Sequence, residues 1–121
     1  MNVENLEIAD LDGCEADGWA LPIVRVRVVA KRKISAISFE FWFPEEDGNN
    51  ANAMFVISSP GSRTQFLELP AATPKEVVIP TIVEAGNDAS IMLTCDHLIA
   101  NKGADIRELS FIIMSIKGVA F

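Results

Sequence analysis

Alternation of apolar and polar side chains with a period of two is the feature that most constrains the fold of this chain. Residues 24–28 read Val-Arg-Val-Arg-Val, and residues 37–43 read Ile-Ser-Phe-Glu-Phe-Trp-Phe. Successive side chains of a β-strand point to opposite faces of a sheet, so both runs are typical of strands with one buried face. Helical periodicity is hard to find anywhere in the sequence.

Short β-branched and aromatic runs recur between clusters of Gly, Pro, Asn and Asp along the whole chain, which is the pattern of an antiparallel sandwich or barrel. We predict one domain over residues 1–121, an all-β, antiparallel two-sheet β-sandwich (jelly-roll-like) of about eight strands. We expect the core to include Val26, Val28, Phe39, Phe41, Leu93 and Phe111. The predicted strands are Asn5 to Ala9, Leu21 to Ala30, Ile34 to Phe43, Ala53 to Ser58, Thr64 to Leu69, Glu76 to Ile82, Ser90 to Cys95 and Arg107 to Lys117. A helical turn from Asp96 to Gly103 is an alternative for that segment.

Charge and hydropathy exclude two classes of partner. Ten basic and seventeen acidic residues give a net charge of −7, which repels the phosphate backbone, so we expect no nucleic acid. No apolar run approaches the roughly 18 residues that a membrane helix needs, so we expect no membrane insertion. The N-terminus has neither a basic start nor an apolar core, which predicts a cytoplasmic protein.

The residues needed for common catalytic and metal sites are scarce. His97 is the only histidine and tyrosine is absent, which excludes a histidine triad or a multi-histidine metal site within one chain. No nucleophile has a base beside it and no glycine loop suits a phosphate. We therefore predict no enzyme, no cofactor and no metal. Cys14 and Cys95 are predicted to be reduced thiols rather than a disulfide.

An acidic segment, residues 10–18, holds the densest group of oxygen ligands in the chain. Asp10, Asp12, Glu15 and Asp17 lie within it, but their spacing does not fit the calcium loop of an EF-hand. We predict a solvated acidic turn, and structural calcium is the alternative.

Trp42, Arg25, Arg27 and Glu40 form the predicted ligand-binding patch. If the Ala-Lys-Arg-Lys connection at residues 30–33 joins two neighbouring strands, Arg25 lies across from Trp42 and Arg27 lies across from Glu40. The indole then stacks on a sugar, or the guanidinium groups merely cover it in a cation–π pair. Trp19 is predicted to plug the open end of the core.

Three stretches carry a resemblance to a known family. They are the acidic DLDGCEADGW (residues 10–19) that leads to the R-V-R-V strand, the FEFWFPEE strand (residues 39–46) and the closing GADIRELSFIIMSIKGV (residues 103–119). The chain resembles the small β-sandwich accessory domains that accompany bacterial glycosyltransferases of surface-polysaccharide synthesis. In those domains an Asp-x-Arg-x-Leu element introduces the last strand, and its counterparts here are Asp105, Arg107 and Leu109; Ser110 stands where a glycine is usual.

Two functions follow as expectations. The resemblance implies a non-catalytic carbohydrate-associated module that acts beside a glycosyltransferase in bacterial polysaccharide production, with a carbohydrate or a glycosyltransferase domain as its partner. The alternative is a protein-interaction or self-assembly module without sugar binding, for which a homo-oligomer is one candidate form. The runs Phe55-Val56-Ile57 and Phe111 to Met114 support that alternative, because they are apolar on both faces and so indicate central strands or a face that meets another protein.

Overall fold

A computed structural model describes residues 1–45, 52–99 and 108–121 of the chain. These residues contain nine β-strands and no helix, and their alternating burial matches the period of two in the sequence. The strands are β1 Asn2–Glu4, β2 Leu6–Cys14, β3 Trp19–Ala30, β4 Ile34–Trp42, β5 Asn52–Ser58, β6 Gln65–Pro70, β7 Lys75–Val83, β8 Asp88–Cys95 and β9 Phe111–Ala120.

The strands join into one hydrogen-bonded sheet in the order β6-β5-β8-β3-β9-β4-β7, with β2 added beside β3 and β1 beside β9. The β1–β9 pair is parallel and every other pair is antiparallel. Strand β3 connects the two parts of this order, because its first two residues pair with β9 while residues 23–29 pair with β8.

The sheet curls back on itself, nearly into a barrel, around an aromatic core. The rings of Phe41 on β4 and Phe55 on β5 have centroids 4.9 Å apart, although four steps of the strand order separate these strands. Four flat steps of about 4.8 Å would place them about 19 Å apart. The ring of Phe111 on β9 packs edge-on against both, with centroid distances of 5.6 Å to Phe41 and 5.1 Å to Phe55. Strands β4, β5 and β9 therefore contribute to one aromatic cluster.

Side-chain hydrogen bonds link the β5–β6 connection to β7 at the opposite end of the strand order. The hydroxyl groups of Ser59 and Thr81 are buried and lie 2.7 Å apart. The Ser62 hydroxyl donates to the carbonyl oxygen of Pro80. These hydrogen bonds satisfy the buried hydroxyl groups at the place where the β5–β6 connection approaches β7, two parts of the sheet that are not paired by backbone hydrogen bonds in the described structure.

The predicted all-β antiparallel class is confirmed, and each of the eight predicted strands has a counterpart. All six predicted core residues are buried. The short strand β1 was not predicted, and β2 continues to Cys14 instead of ending at Ala9. Because all nine strands connect into one sheet, the division into two separate sheets is not seen at the level of hydrogen bonding.

The connection at residues 30–33 is not a hairpin, so the predicted pairing of β3 with β4 is wrong. The C-terminal strand β9 lies between them and pairs with Trp19 and Ala20 on one edge and with most of β4 on the other. The basic segment therefore crosses from one part of the sheet to another, and the Lys31 amide donates to the Asn5 carbonyl oxygen.

Two predictions fall at least partly outside the described residues. Asp105 and Arg107 lie there, as does the second half of the proposed helical turn. Its first residues, Asp96 to Ile99, are not helical. In the described part of the chain, no helix is long and apolar enough to cross a membrane.

Candidate functional site

The four residues of the predicted patch lie in two separate places. Arg25 pairs with Asp12 of β2 and Met92 of β8, whereas Trp42 pairs with Ile112 of β9. Trp42 is in register, through Ile112, with Trp19. Arg25 is six residues further along β3, or about 20 Å at 3.3 Å per residue. The predicted contact between Arg25 and Trp42 is therefore wrong.

Glu40 and Arg27 are separated in the same way. Glu40 pairs with Glu76 of β7 and with Ser115 of β9. Arg27 pairs with Asp10 and Ser90, and its guanidinium lies 3.4 Å from the carboxylate of Asp88 in an exposed ion pair. Among the described residues, no ion pair joins Glu40 to Arg25 or Arg27.

Arg25 and Arg27 instead line an open groove of about 590 Å³, which also borders Asp10, Ser58, Ser90 and Met92. We call it the arginine groove. Arg27 is engaged by Asp88. Among the described residues, the guanidinium of Arg25 forms no hydrogen bond or ion pair. Arg25 is exposed and lies opposite Met92 in the strand register.

A second cleft, of about 540 Å³, lies around Trp19, and we call it the tryptophan cleft. Its walls combine an indole, apolar side chains and three carboxyl groups, and both its volume and this mixture suit a small-ligand site. The lining residues that matter here are Trp19, Leu11, Leu21, Asp12, Glu15 and Glu108.

The turn between β2 and β3 fixes the backbone of Trp19. The Glu15 amide donates to the Trp19 carbonyl oxygen at 3.0 Å, and the Trp19 amide donates to Asp17 Oδ1 at 3.0 Å. Gly18 has φ +95°, and a Cβ at this position would lie 2.5 Å from the carbonyl oxygen of Ile113. Only glycine allows this close approach to β9, which brings Trp19 into register with Ile112.

The acidic segment is mostly strand, which corrects the prediction of a loop from residue 10 onward. Asp10 and Asp12 lie on β2 opposite Arg27 and Arg25, with register shifts after Ile8 and Asp12. Opposite charges across paired strands favour this register modestly, although neither pair comes within ion-pair distance in the described part of the chain. Among the described residues, no group of three or more His, Cys, Asp or Glu side chains is placed to hold a metal ion.

The two cysteines are free thiols, so no disulfide joins them. Burial, with smaller effects from the nearby charges of Asp17 and Glu15, raises the pKa of Cys14 to about 11. Burial also raises the pKa of the Cys95 thiol, and hydrogen bonds involving Ser110 and His97 partly oppose this. Both thiols are therefore protonated at neutral pH, which makes them poor nucleophiles.

The environment of Trp19 differs from the predicted one, although the sequence contains the pattern that indicates it. Trp19 was predicted to plug the open end of the core, but it is half-buried beside the tryptophan cleft, and the neighbouring Ala20 is the residue that is buried in the core. The alternation that buries Val24, Val26 and Val28 also buries Ala20, and it puts Trp19 on the outer face with Arg25 and Arg27. Extending that alternation five residues back from Val24 places Trp19 on the outer face.

A scan of protein-family models, a search of curated proteins and a search of solved structures each returned no match to this chain. A function is therefore proposed from the tryptophan cleft, the arginine groove and the outer faces of the sheet.

Proposed function

We propose that this chain is a non-catalytic carbohydrate-binding module and that the tryptophan cleft is its binding site. The observation that supports this most is the combination of one half-buried indole with three carboxyl groups in a single open cleft. An indole offers a flat apolar surface to the C–H face of a pyranose, and carboxylates accept hydrogen bonds from sugar hydroxyl groups.

The charges of the cleft favour a neutral sugar. Asp12, Glu15 and Glu108 line it, and none of the described residues that line it is basic. A uronic acid or a phosphorylated sugar would meet like charges at short range, which disfavours binding by electrostatic repulsion. We therefore propose neutral hexose oligosaccharides as the ligand class.

The cleft is open to solvent, so affinity is expected to be weak. One indole and a few solvated polar contacts leave little surplus after the sugar and the side chains are ordered. A Kd of about 0.1 to 1 mM is the expected range.

Calorimetric titration with a panel of neutral and acidic oligosaccharides tests the proposal. We expect the wild type to bind at least one neutral member, and Trp19→Ala to weaken that binding by about tenfold or more. Glu108→Gln should weaken it less. Circular dichroism establishes that each variant is folded.

Trp42→Ala is the matched control, because Trp42 is half-buried on the same outer surface but does not line the cleft. It should bind like the wild type. Loss of binding in Trp42→Ala with retention in Trp19→Ala would move the site to Trp42, and absence of binding to every sugar would reject the proposal.

The cellular setting is proposed from the sequence alone. The resemblance in residues 10–19, 39–46 and 103–119 supports a module that acts beside a glycosyltransferase in bacterial polysaccharide production. A cytoplasmic location is likewise a proposal from the N-terminal sequence. The finer description of the fold as a jelly-roll-like, two-layered sandwich is supported by the ring contacts that pack β4 onto β5.

A further inference from the structure

The outer face of strands β6, β5, β8 and β3 exposes an apolar surface that the tryptophan cleft does not use. One row of paired residues crosses all four strands: Phe66, Val56, Thr94 and Ile23. Phe66 and Ile23, at its two ends, are 70% and 59% exposed. Met54 lies on one side of this row and Met92 on the other, and both are exposed. We call these six residues the β6–β3 face.

Charges of opposite sign lie at opposite corners of this face. Glu68 is paired with Met54 and occupies one corner. Arg25 is paired with Met92 and occupies the diagonally opposite corner. Within the described part of the chain, Arg25 makes no ion pair and Glu68 accepts one long, exposed hydrogen bond, from Asn52 at 3.3 Å.

We propose that the β6–β3 face binds the same face of a second copy of this chain. Three strand spacings of about 4.8 Å and two two-residue steps of about 6.6 Å make the face nearly square, about 14 by 13 Å. Glu68 and Arg25 mark one diagonal of this square. A twofold axis that lies in the interface along the other diagonal places Glu68 of each copy against Arg25 of the other copy. A face whose charges are exchanged by a twofold axis is complementary to itself.

The same axis also matches the apolar side chains. It places Phe66 of one copy against Met92 of the second copy, and Ile23 against Met54. Because the axis runs along the diagonal of a square, it turns the strands of one copy about 90° from those of the other. Orthogonal crossing is one of the two common ways in which sheets pack face to face. Methionine adapts well to an aromatic ring at such a contact.

The size of the face predicts a weak dimer. Its apolar centre covers roughly 200 Å², whereas a stable complex buries about 800 Å² on each partner. The polar rim, which includes the arginine groove, adds area but little affinity. We expect a Kd of about 100 μM, which corresponds to monomers in dilute solution and dimers at high concentration.

Sedimentation equilibrium of the wild type from about 5 μM to 1 mM measures this association. We expect the mean mass to rise from that of the monomer toward that of the dimer. Phe66→Ser should weaken the association by about tenfold. Ile82→Ser is the matched control, because Ile82 on β7 is 68% exposed but lies outside the face. It should leave the association unchanged.

Charge exchange identifies the corner contact. Glu68→Arg alone and Arg25→Glu alone should each weaken the dimer by about three- to tenfold, because like charges then meet. The double variant should restore it to within about twofold of the wild type. A mass that stays monomeric at 1 mM, an equal loss in Ile82→Ser, or a double variant as weak as the singles would each overturn the proposal. Sugar binding at the tryptophan cleft is measured separately and does not enter this test.

Discussion

Phe55 and Phe66 lie on neighbouring, paired strands of one sheet, yet the first has no exposed surface and the second is 70% exposed. Phe55 points into the curl of the sheet, where it contacts Phe41 and Phe111. Phe66 is in register with Val56 on the opposite face. Residue type is the same in both places, so position along the strand and the direction in which the sheet curls decide burial.

The largest effect expected from this comparison is on stability. Phe55→Ala should lower the free energy of unfolding by about 3 to 5 kcal/mol, because it leaves a cavity among three packed rings. Phe66→Ala should change it by less than about 0.5 kcal/mol when the chain is monomeric. Urea unfolding at low protein concentration measures both.

If Phe55→Ala does not fold, Phe55→Leu provides the measurement, with an expected loss of about 1 to 2 kcal/mol. Equal losses for the two phenylalanines would show that Phe66 is buried in solution and that the division into inner and outer faces is wrong.

A smaller difference in stability is expected between substitution of a glycine that lies against another strand and substitution of a glycine that faces solvent. Gly18 has a positive φ and would place a Cβ against the Ile113 carbonyl oxygen, whereas Gly61 has φ +72° with nothing within 4 Å. Gly61→Ala should cost about 1 kcal/mol, from backbone strain alone. Gly18→Ala should cost about 1 to 2 kcal/mol more, because the turn must shift. Thermal unfolding compares the two, and similar losses would remove the role assigned to the contact with β9.

The sequence was sufficient to predict which segments are strands and which side of most strands is buried. The file Ile37, Phe39, Phe41 and Phe43 lies inside as expected, because alternation is a local property of the chain. Strand β1, which pairs in parallel with β9, has only three residues. Such a short segment cannot show an alternation of apolar and polar side chains.

The order of the strands could not be read from alternation. Strand β9 inserts between β3 and β4 because Trp19 and Ala20 pair with Ile112 and Phe111, a contact between residues more than 90 positions apart. The predicted patch required β3 and β4 to be neighbours. Because β9 lies between them, the arginines on β3 and the residues Glu40 and Trp42 on β4 lie in two separate places. The tryptophan cleft depends on the same insertion, through the contact of Gly18 with Ile113.

The smallest effect concerns pH and Cys14, which is half-buried beside the cleft. Its pKa rises from 9.0 to about 11 on folding. Below pH 9 the thiol is protonated in both the folded and the unfolded chain. Between pH 9 and about 11 the unfolded thiol ionises first, so stability should decrease as pH rises.

Urea unfolding from pH 8 to 11 measures this decrease, and Cys14→Ala should make it shallower. Reaction with a disulfide reagent at pH 7.5 is an independent measurement. The Cys14→Ala variant gives the rate of Cys95 alone, which is subtracted from that of the wild type. A Cys14 rate equal to that of a free cysteine would contradict the raised pKa.

The central claim about function is that Trp19, and not Trp42, meets the ligand. The chain has two tryptophans, so a ¹H–¹⁵N spectrum contains two indole resonances, which Trp42→Phe assigns. On titration with the neutral oligosaccharide that binds best, we predict that the Trp19 indole resonance shifts progressively and saturates while the Trp42 resonance stays in place. A shift of the Trp42 resonance alone, or of neither resonance at saturating sugar, would contradict the account.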